Sequence, residues 1–150
     1  MSSVPAVKAA LRTTIAAVLP NSQVLNGPAT AETAVGERFV EIGRAVGDRK
    51  PSNIVGTIFT EDYTIEIKFS VWVPGPGDES YLLAQNEVLA DYTAAEAAIR
   101  EHAQAPNLGL DADGVGLVEN TGRFEQDGAA TGKGRWAWAL TSVHVRAQTT

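Results

Sequence analysis

The 150-residue sequence contains no cysteine, so disulfides, thiolate nucleophiles and thiolate metal ligands are all excluded. That absence fits a reducing compartment. Histidine is nearly as scarce: His102 and His144 are the two present. They fall on different predicted elements, without the close spacing that a zinc site needs. Long apolar runs are missing too. No stretch approaches the ~20 residues needed to cross a bilayer, and the opening segment lacks the compact hydrophobic block and cleavage site of a secretion signal. Basic residues are in deficit, with 12 Lys and Arg against 18 Asp and Glu and a net charge of −6. A surface that displaces counterions from nucleic acid needs clustered cations, so that class is excluded as well.

What remains is ordinary globular material. Apolar residues make up 44% and charged residues 20%, and a chain of this size buries enough surface for one core without staples. One soluble domain spanning 1–150 is expected.

The first periodic segment covers residues 4–19. Val4, Val7, Leu11, Ile15 and Val18 recur at spacings of three and four, Ser2 or Ser3 can cap the start, and Pro5 suits the first turn. This predicts an amphipathic helix ending at Pro20-Asn21. Val24-Leu25 suggests a brief extended piece followed by a loop to residue 36. From Glu37 to Val46 the pattern alternates, with Val40, Ile42 and Val46 opposite Glu37 and Glu41, and residues 48–53 read as a polar connection. Ile54 to Phe59 then leads, through Thr60-Glu61-Asp62, into the clearest strand. There Tyr63, Ile65, Ile67, Phe69, Val71 and Val73 alternate with Thr64, Glu66, Lys68 and Ser70. The two runs are expected to pair as a hairpin.

Pro74-Gly75-Pro76-Gly77 stops that strand. A long helix is predicted from Asp78 to about Ala103, with Tyr81, Leu82, Val88, Tyr92, Ala95 and Ile99 as its apolar stripe. Its length of about 35 Å would cross a whole sheet. The last third predicts a second hairpin, with arms at 114–124 and 134–146 joined by a long glycine-rich loop, 125–134. The order implies an α+β domain: a mainly antiparallel sheet of about five strands, packed by the N-terminal helix and one long helix.

Catalytic and ligand patterns do not emerge. His102 suits the last turn of the long helix, where an imidazolium complements the dipole. His144 falls with Ser142 and Arg146 on a polar sheet face, and a serine and histidine on one strand lack the oriented base and oxyanion donors of a nucleophilic site. Asp111, Asp113 and Gly114 partly match a calcium loop, but the position of its closing Glu is Gly122. A helix-to-strand turn accounts for them better. The glycines around Lys133 are not followed by a helix that could hold phosphate. The carboxylate pairs Glu37/Glu41 and Glu61/Asp62 fall on expected solvated edges and turns. No catalytic residue, metal or cofactor is therefore expected.

The three tryptophans carry more information. Trp72 lies on the opposite strand face from the Tyr63–Val73 apolar row. Trp136, Trp138 and Leu140 oppose Val143 and Val145, so the final strand is apolar on both faces. One set must face outward, and burial by a partner is the usual resolution of exposed aromatic surface; cover by a loop or helix is the alternative.

This order of elements resembles the tail terminator (tail-completion) proteins of long-tailed bacteriophages. The resemblance rests on the opening helix Val4-Pro5-Ala6-Val7-Lys8-Ala9-Ala10-Leu11-Arg12, the strand from Tyr63 to Val73, the long helix after a Pro-Gly turn, and the closing Trp136-Ala137-Trp138-Ala139-Leu140. It implies a structural virion protein, made in the host cytoplasm. Such a protein forms a ring, expected to be a hexamer, at the head-proximal end of the tail tube. It ends tube polymerisation and joins the tail to the head connector. Implied partners are copies of itself, the tail tube protein and the connector protein, with DNA passing through unbound and no membrane involved. Candidate subunit contacts are Trp72, Trp136, Trp138 and Lys133, together with the hairpin edges and loop 125–134. Another neck or head-completion protein, or an injection-system cap, would give nearly the same pattern. A small ligand-binding module or hydrolase is the alternative from another class.

Overall fold

Three long antiparallel strands carry the architecture. The computed structural model describes residues 1–27, 36–100 and 106–150. Its elements are α1 (Val4–Val18), β1 (Gln23–Asn26), β2 (Arg38–Pro51), β3 (Phe59–Pro74), α2 (Asp78–Arg100), β4 (Val115–Asn120), β5 (Glu125–Thr131) and β6 (Gly134–Thr149). They form an α+β fold whose six-stranded sheet runs β1-β2-β3-β6, with β4 and β5 both paired to β6. All pairings are antiparallel except β1 with β2. Short 3-10 turns at Pro106–Gly109 and Asp111–Asp113 lead into β4.

The apolar row of β3 faces the helices, and all six of its members are buried. In register across β6 stand Val145, Val143, Ala139 and Ala137. Small residues there, with Ala84, Val88 and Ala95 of α2, let the long helix lie close over the two central strands. Helix α1 adds Val7, Leu11 and Ile15, packing on α2, β1 and β2. Each large apolar side chain so buried contributes roughly 1.5–3 kcal/mol over exposure. A one-residue slip of β3 would turn the whole row outward, so register is fixed by the face rather than by any single contact. No helix of the described residues is long and apolar enough to cross a membrane.

Several expectations are corrected. Residues 48–51 are not a connection: they extend β2, pairing from Asp48↔Asp62 to Pro51↔Phe59. A bulge between Ile42 and Ala45 inserts one extra residue, which moves Val46 from the expected core face to solvent. The β2–β3 hairpin therefore turns at residues 52–58, and Thr60-Glu61-Asp62 lies within β3 rather than at a turn. The expected long loop 125–134 is a tight hairpin instead. Strand β5 pairs with β6 from Glu125↔Leu140 to Thr131↔Gly134, leaving Gly132-Lys133 as the turn. The predicted arm 114–124 is likewise divided. Strand β4 holds the C-terminal half of β6 and β5 the N-terminal half, with residues 121–124 passing between them. On α2, Leu82 is exposed while Asp91 is buried. His102 and the expected end of that helix lie outside the described residues.

Glu61 is the largest departure. Expected at a solvated turn, it is 3% exposed and serves as the cap of α1. Its carboxylate accepts the Ser3 N–H (2.7 Å) and the Ser2 hydroxyl (2.7 Å), while the Ser3 hydroxyl pairs with the Tyr63 hydroxyl at 2.8 Å. The helix start is thus satisfied chiefly from the sheet: the Ser3 side chain makes no cap bond, and the local contribution is the Val4 N–H donating to Ser2 Oγ at 3.3 Å.

Candidate assembly interface

Strand alternation sends two sets of side chains to the face opposite the helices. In register across that face, Phe39 stands by Ser70 and Trp138, and Trp72 by Trp136. Among the described residues, both helices pack on the other face, and the outer one has no covering layer. Phe39 and Trp136 meet edge to face, centroids 5.6 Å apart, and the Lys68 ammonium lies 5.1 Å from the Trp138 ring centre. Ser70 is buried between these rings. All three tryptophans of the chain are half-buried here.

The patch is organised rather than collapsed. The Trp72 indole N–H donates to Thr131 Oγ1 at 3.2 Å, and its ring lies directly over Gly134, where any Cβ would run into it. The Gly75 N–H donates to the Lys133 carbonyl at 2.8 Å, tying the Pro-Gly turn to the β5–β6 turn. Replacing Gly134 with valine is expected to lift the indole off the strand. The expected results are red-shifted tryptophan emission and a loss of about 1–3 kcal/mol, as for other overpacked sites. Unchanged emission would show that the ring has room that the structure does not.

The other half of the outer face is polar and internally paired. Arg123, from the segment between β4 and β5, reaches Glu66 and Glu125, each at 3.2 Å. A hollow of about 300 Å³ is lined by Arg44, Val46, Thr64, Glu66, Arg123 and Ser142. The Ser142 hydroxyl is paired with Thr121 Oγ1 at 2.7 Å, and both ring nitrogens of His144 face carboxylates. Nε2 is 2.7 Å from Asp62 and Nδ1 is 3.3 Å from Glu119. A serine and a histidine bound elsewhere do not make a nucleophilic pair.

The Asp62 hydrogen bond, opposed by desolvation and helped by Glu119, raises the His144 pKa above its ordinary 6.5. The same hydrogen bond is the main cause that lowers the Asp62 pKa. A histidine with a raised folded pKa adds stability that is complete below its unfolded pKa and is lost as pH climbs through the folded value. Wild type should therefore lose stability as pH rises above 6.5, and His144→Gln should remove that slope. Urea unfolding across a pH series measures it, and equal slopes in both proteins would contradict the assignment.

The structure brings Trp72, Trp136 and Trp138 into one patch, with Lys133 exposed in the adjoining turn. Asp111 and Asp113 form a turn, closed by Gly114 with φ 81°. No group of three or more potential metal ligands occurs among the described residues. Sequence reasoning missed Phe39, whose outward placement is signalled by its alternation with Val40 and Ile42. No protein-family model and no curated protein sequence matches the chain.

Proposed function

We propose that this chain is a structural subunit that assembles with copies of itself into a ring, in the manner of the tail terminators of long-tailed phages. It would sit at the head-proximal end of a tail tube, end tube growth and join the tail to the head connector. The observation that carries this reading is the outer aromatic face. Trp72, Trp136 and Trp138 stand half-buried in one patch around the buried Phe39 and Ser70, neither described helix packs over them, and copies of the chain can bury what they leave exposed. The acidic balance suits a ring through which DNA slides, because like charge keeps phosphates from sticking.

Native mass measurement of the purified chain tests the proposal, with a closed ring of about six copies expected, as the resemblance implies. Trp136→Glu, which places a charge where packing is required, should weaken association at least tenfold, in line with loss of a buried aromatic anchor. Its circular dichroism should stay as in wild type, because the helix-facing core is untouched. A wild-type chain that stays monomeric at every concentration, with and without tail tubes, would refute the assembly reading.

A further inference from the structure

The free edges of the sheet are blunted by different means, and β4 has its own. Beyond its pairing with β1, strand β2 is broken by the Ile42–Ala45 bulge and carries Arg49, Lys50 and Pro51. Strand β5 carries Glu125 and Asp127, and β1 is four residues long. Bulges, charge, proline and brevity all discourage a further strand from adding. Strand β4, Val-Gly-Leu-Val-Glu-Asn, has neither lysine nor proline and a single charge. Its one bulge, at Val115–Leu117, leaves Leu117 to Asn120 in regular register with β6. The opposite edge of β4 is met by one side chain, that of Asn107.

Asn107 Nδ2 donates to the Gly116 carbonyl (3.1 Å), and Asn107 Oδ1 accepts the Val118 N–H (3.1 Å). A residue of a parallel neighbouring strand would make the same two bonds, to the carbonyl before and the N–H after the residue it faces. The side-chain amide thus takes the place of a strand residue opposite Leu117. Nδ2 also donates to Asp111 Oδ1 (3.1 Å), which fixes the orientation of the group.

The backbone is bent to put it there. Asn107 and Leu108 have φ of 54° and 58°, and Gly109 follows at 74°. Asparagine tolerates the left-handed region, leucine visits it rarely, and such a run persists only where its surroundings hold it. Here Leu108 packs against the core, and the Leu110 N–H donates back to the Asn107 carbonyl at 3.1 Å.

We infer that the Asn107 side chain is a built-in stop that keeps β4 from pairing with a strand of a second copy. Every encounter between copies brings two identical β4 edges together, so this pairing is the one most available to the bare strand. By parity the Val118 carbonyl and the Asn120 N–H continue the same edge, while the Thr121 N–H turns back to the Ser142 carbonyl. The stop is independent of the ring proposed above. It confines association to surfaces other than this edge.

The test is made in Trp136→Glu protein, where the aromatic contact is disabled. In that reference the Val118 amide should be protected from exchange and the Asn120 amide should not. Asn107→Gly removes the side chain and keeps a residue that accepts φ 54°. In dilute solution it should quicken exchange at Val118 about tenfold, as for one lost hydrogen bond. On concentration it should dimerise at least about tenfold more tightly than the reference, the scale of one or two recovered backbone bonds. Val118 and Asn120 should then become protected together.

Asn107→Asp separates an opened edge from lost stability. Its carboxylate still accepts the Val118 N–H but has no donor for the Gly116 carbonyl or Asp111. It should weaken the turn, leave the edge obstructed and stay monomeric. Dimers of Asn107→Asp as tight as those of Asn107→Gly would trace association to lost stability and overturn the proposal. An Asn107→Gly protein as monomeric as the reference would overturn it too, because the side chain would then only brace the turn. Dimers that leave Val118 and Asn120 unprotected, or a reference in which Val118 exchanges freely, would do the same.

Discussion

Replacing Asp91 with alanine should lower the unfolding free energy by about 2–3 kcal/mol. Asp91 lies in the middle of α2 and is 5% exposed. Its carboxylate accepts two parallel bonds from Arg38 at the start of β2, at 2.6 and 2.8 Å, and a longer one from the Ser22 hydroxyl at 3.4 Å. That geometry is the bidentate fork, the strongest form of side-chain ion pair. The Asp91 hydrogen bond is the main cause that raises the Arg38 pKa further above its already high value. Removing one member of a fully buried pair costs about 3–5 kcal/mol because the other charge is stranded. Here the Arg38 side chain is 29% exposed and Glu87 stands 3.7 Å away, so solvent and a second carboxylate relieve part of the penalty.

The double substitution Arg38→Met/Asp91→Leu separates the pair's net contribution from the cost of breaking it. It should be far less harmful than Asp91→Ala, because replacing a buried pair by apolar groups is often near neutral. Denaturant unfolding of the two variants measures the difference. If Asp91→Ala lost less than about 0.5 kcal/mol, the fork would be a surface pair of no consequence. The pair joins the first residue of β2 to the middle of α2 and so sets where the sheet meets the helix layer.

None of this pairing is visible in the sequence, for a physical reason. Hydrophobic alternation reports which face of an element is dry, and it fails wherever a polar group is buried by a partner distant in the chain. Strand β3 was legible because six apolar residues fall at period two. The two-faced character of β6 was legible because Trp136 and Trp138 oppose Val143 and Val145. Strand β5 was not: Glu125-Gln126-Asp127-Gly128-Ala129-Ala130-Thr131 has no large apolar residue. What holds it is the backbone ladder with β6 and close packing under α2, where a Cβ at Gly128 would strike the Tyr81 ring. The charged end of β2 is hidden for the same reason, since its ladder to β3 needs no apolar side chain. The bulge at Ile42–Ala45 shifted Val46 to the wrong predicted face, because one extra residue inverts the alternation beyond it.

The candidate interface divides the same way. Outward placement of the tryptophans follows from parity along two strands, which sequence supplies. Their convergence needs the β3–β6 register that sets Trp72 opposite Trp136, which sequence does not supply. Outside it, Ile54 and Val55 read as the start of a strand because they are apolar and β-branched. Only the bonds from the Thr57 and Ile58 N–H groups to Asn53 Oδ1 show that the chain turns there and presents them to solvent.

Glu61 provides the second large effect, and its signature is a dependence on acid. Burial alone would raise the pKa of this carboxyl. The Ser3 N–H, the hydroxyls of Ser2 and Ser3 and the charge of Arg49 more than offset burial and hold it below its ordinary 4.5. A carboxyl with a depressed folded pKa contributes stability that is fully present above its unfolded pKa and is lost as pH falls through the folded value. Wild type should therefore lose stability as pH drops below 4.5, and Glu61→Gln should lose less over the same range.

At neutral pH the glutamine can still accept from Ser3 and Ser2 but forfeits the charge, so it should cost about 1 kcal/mol. Glu61→Ala should cost more, about 2–3 kcal/mol, because the Ser3 N–H at the start of α1 then has no acceptor in a buried site. Amide exchange at Ser3 should quicken in the alanine variant, since the Ser3 N–H donates to Glu61 and the Ser3 side chain makes no cap bond at the helix start. If both variants kept wild-type stability and wild-type acid dependence, the helix start would be held by packing of Val7 and Leu11 and by the Val4 N–H bond to Ser2, and the buried carboxylate would have no structural role.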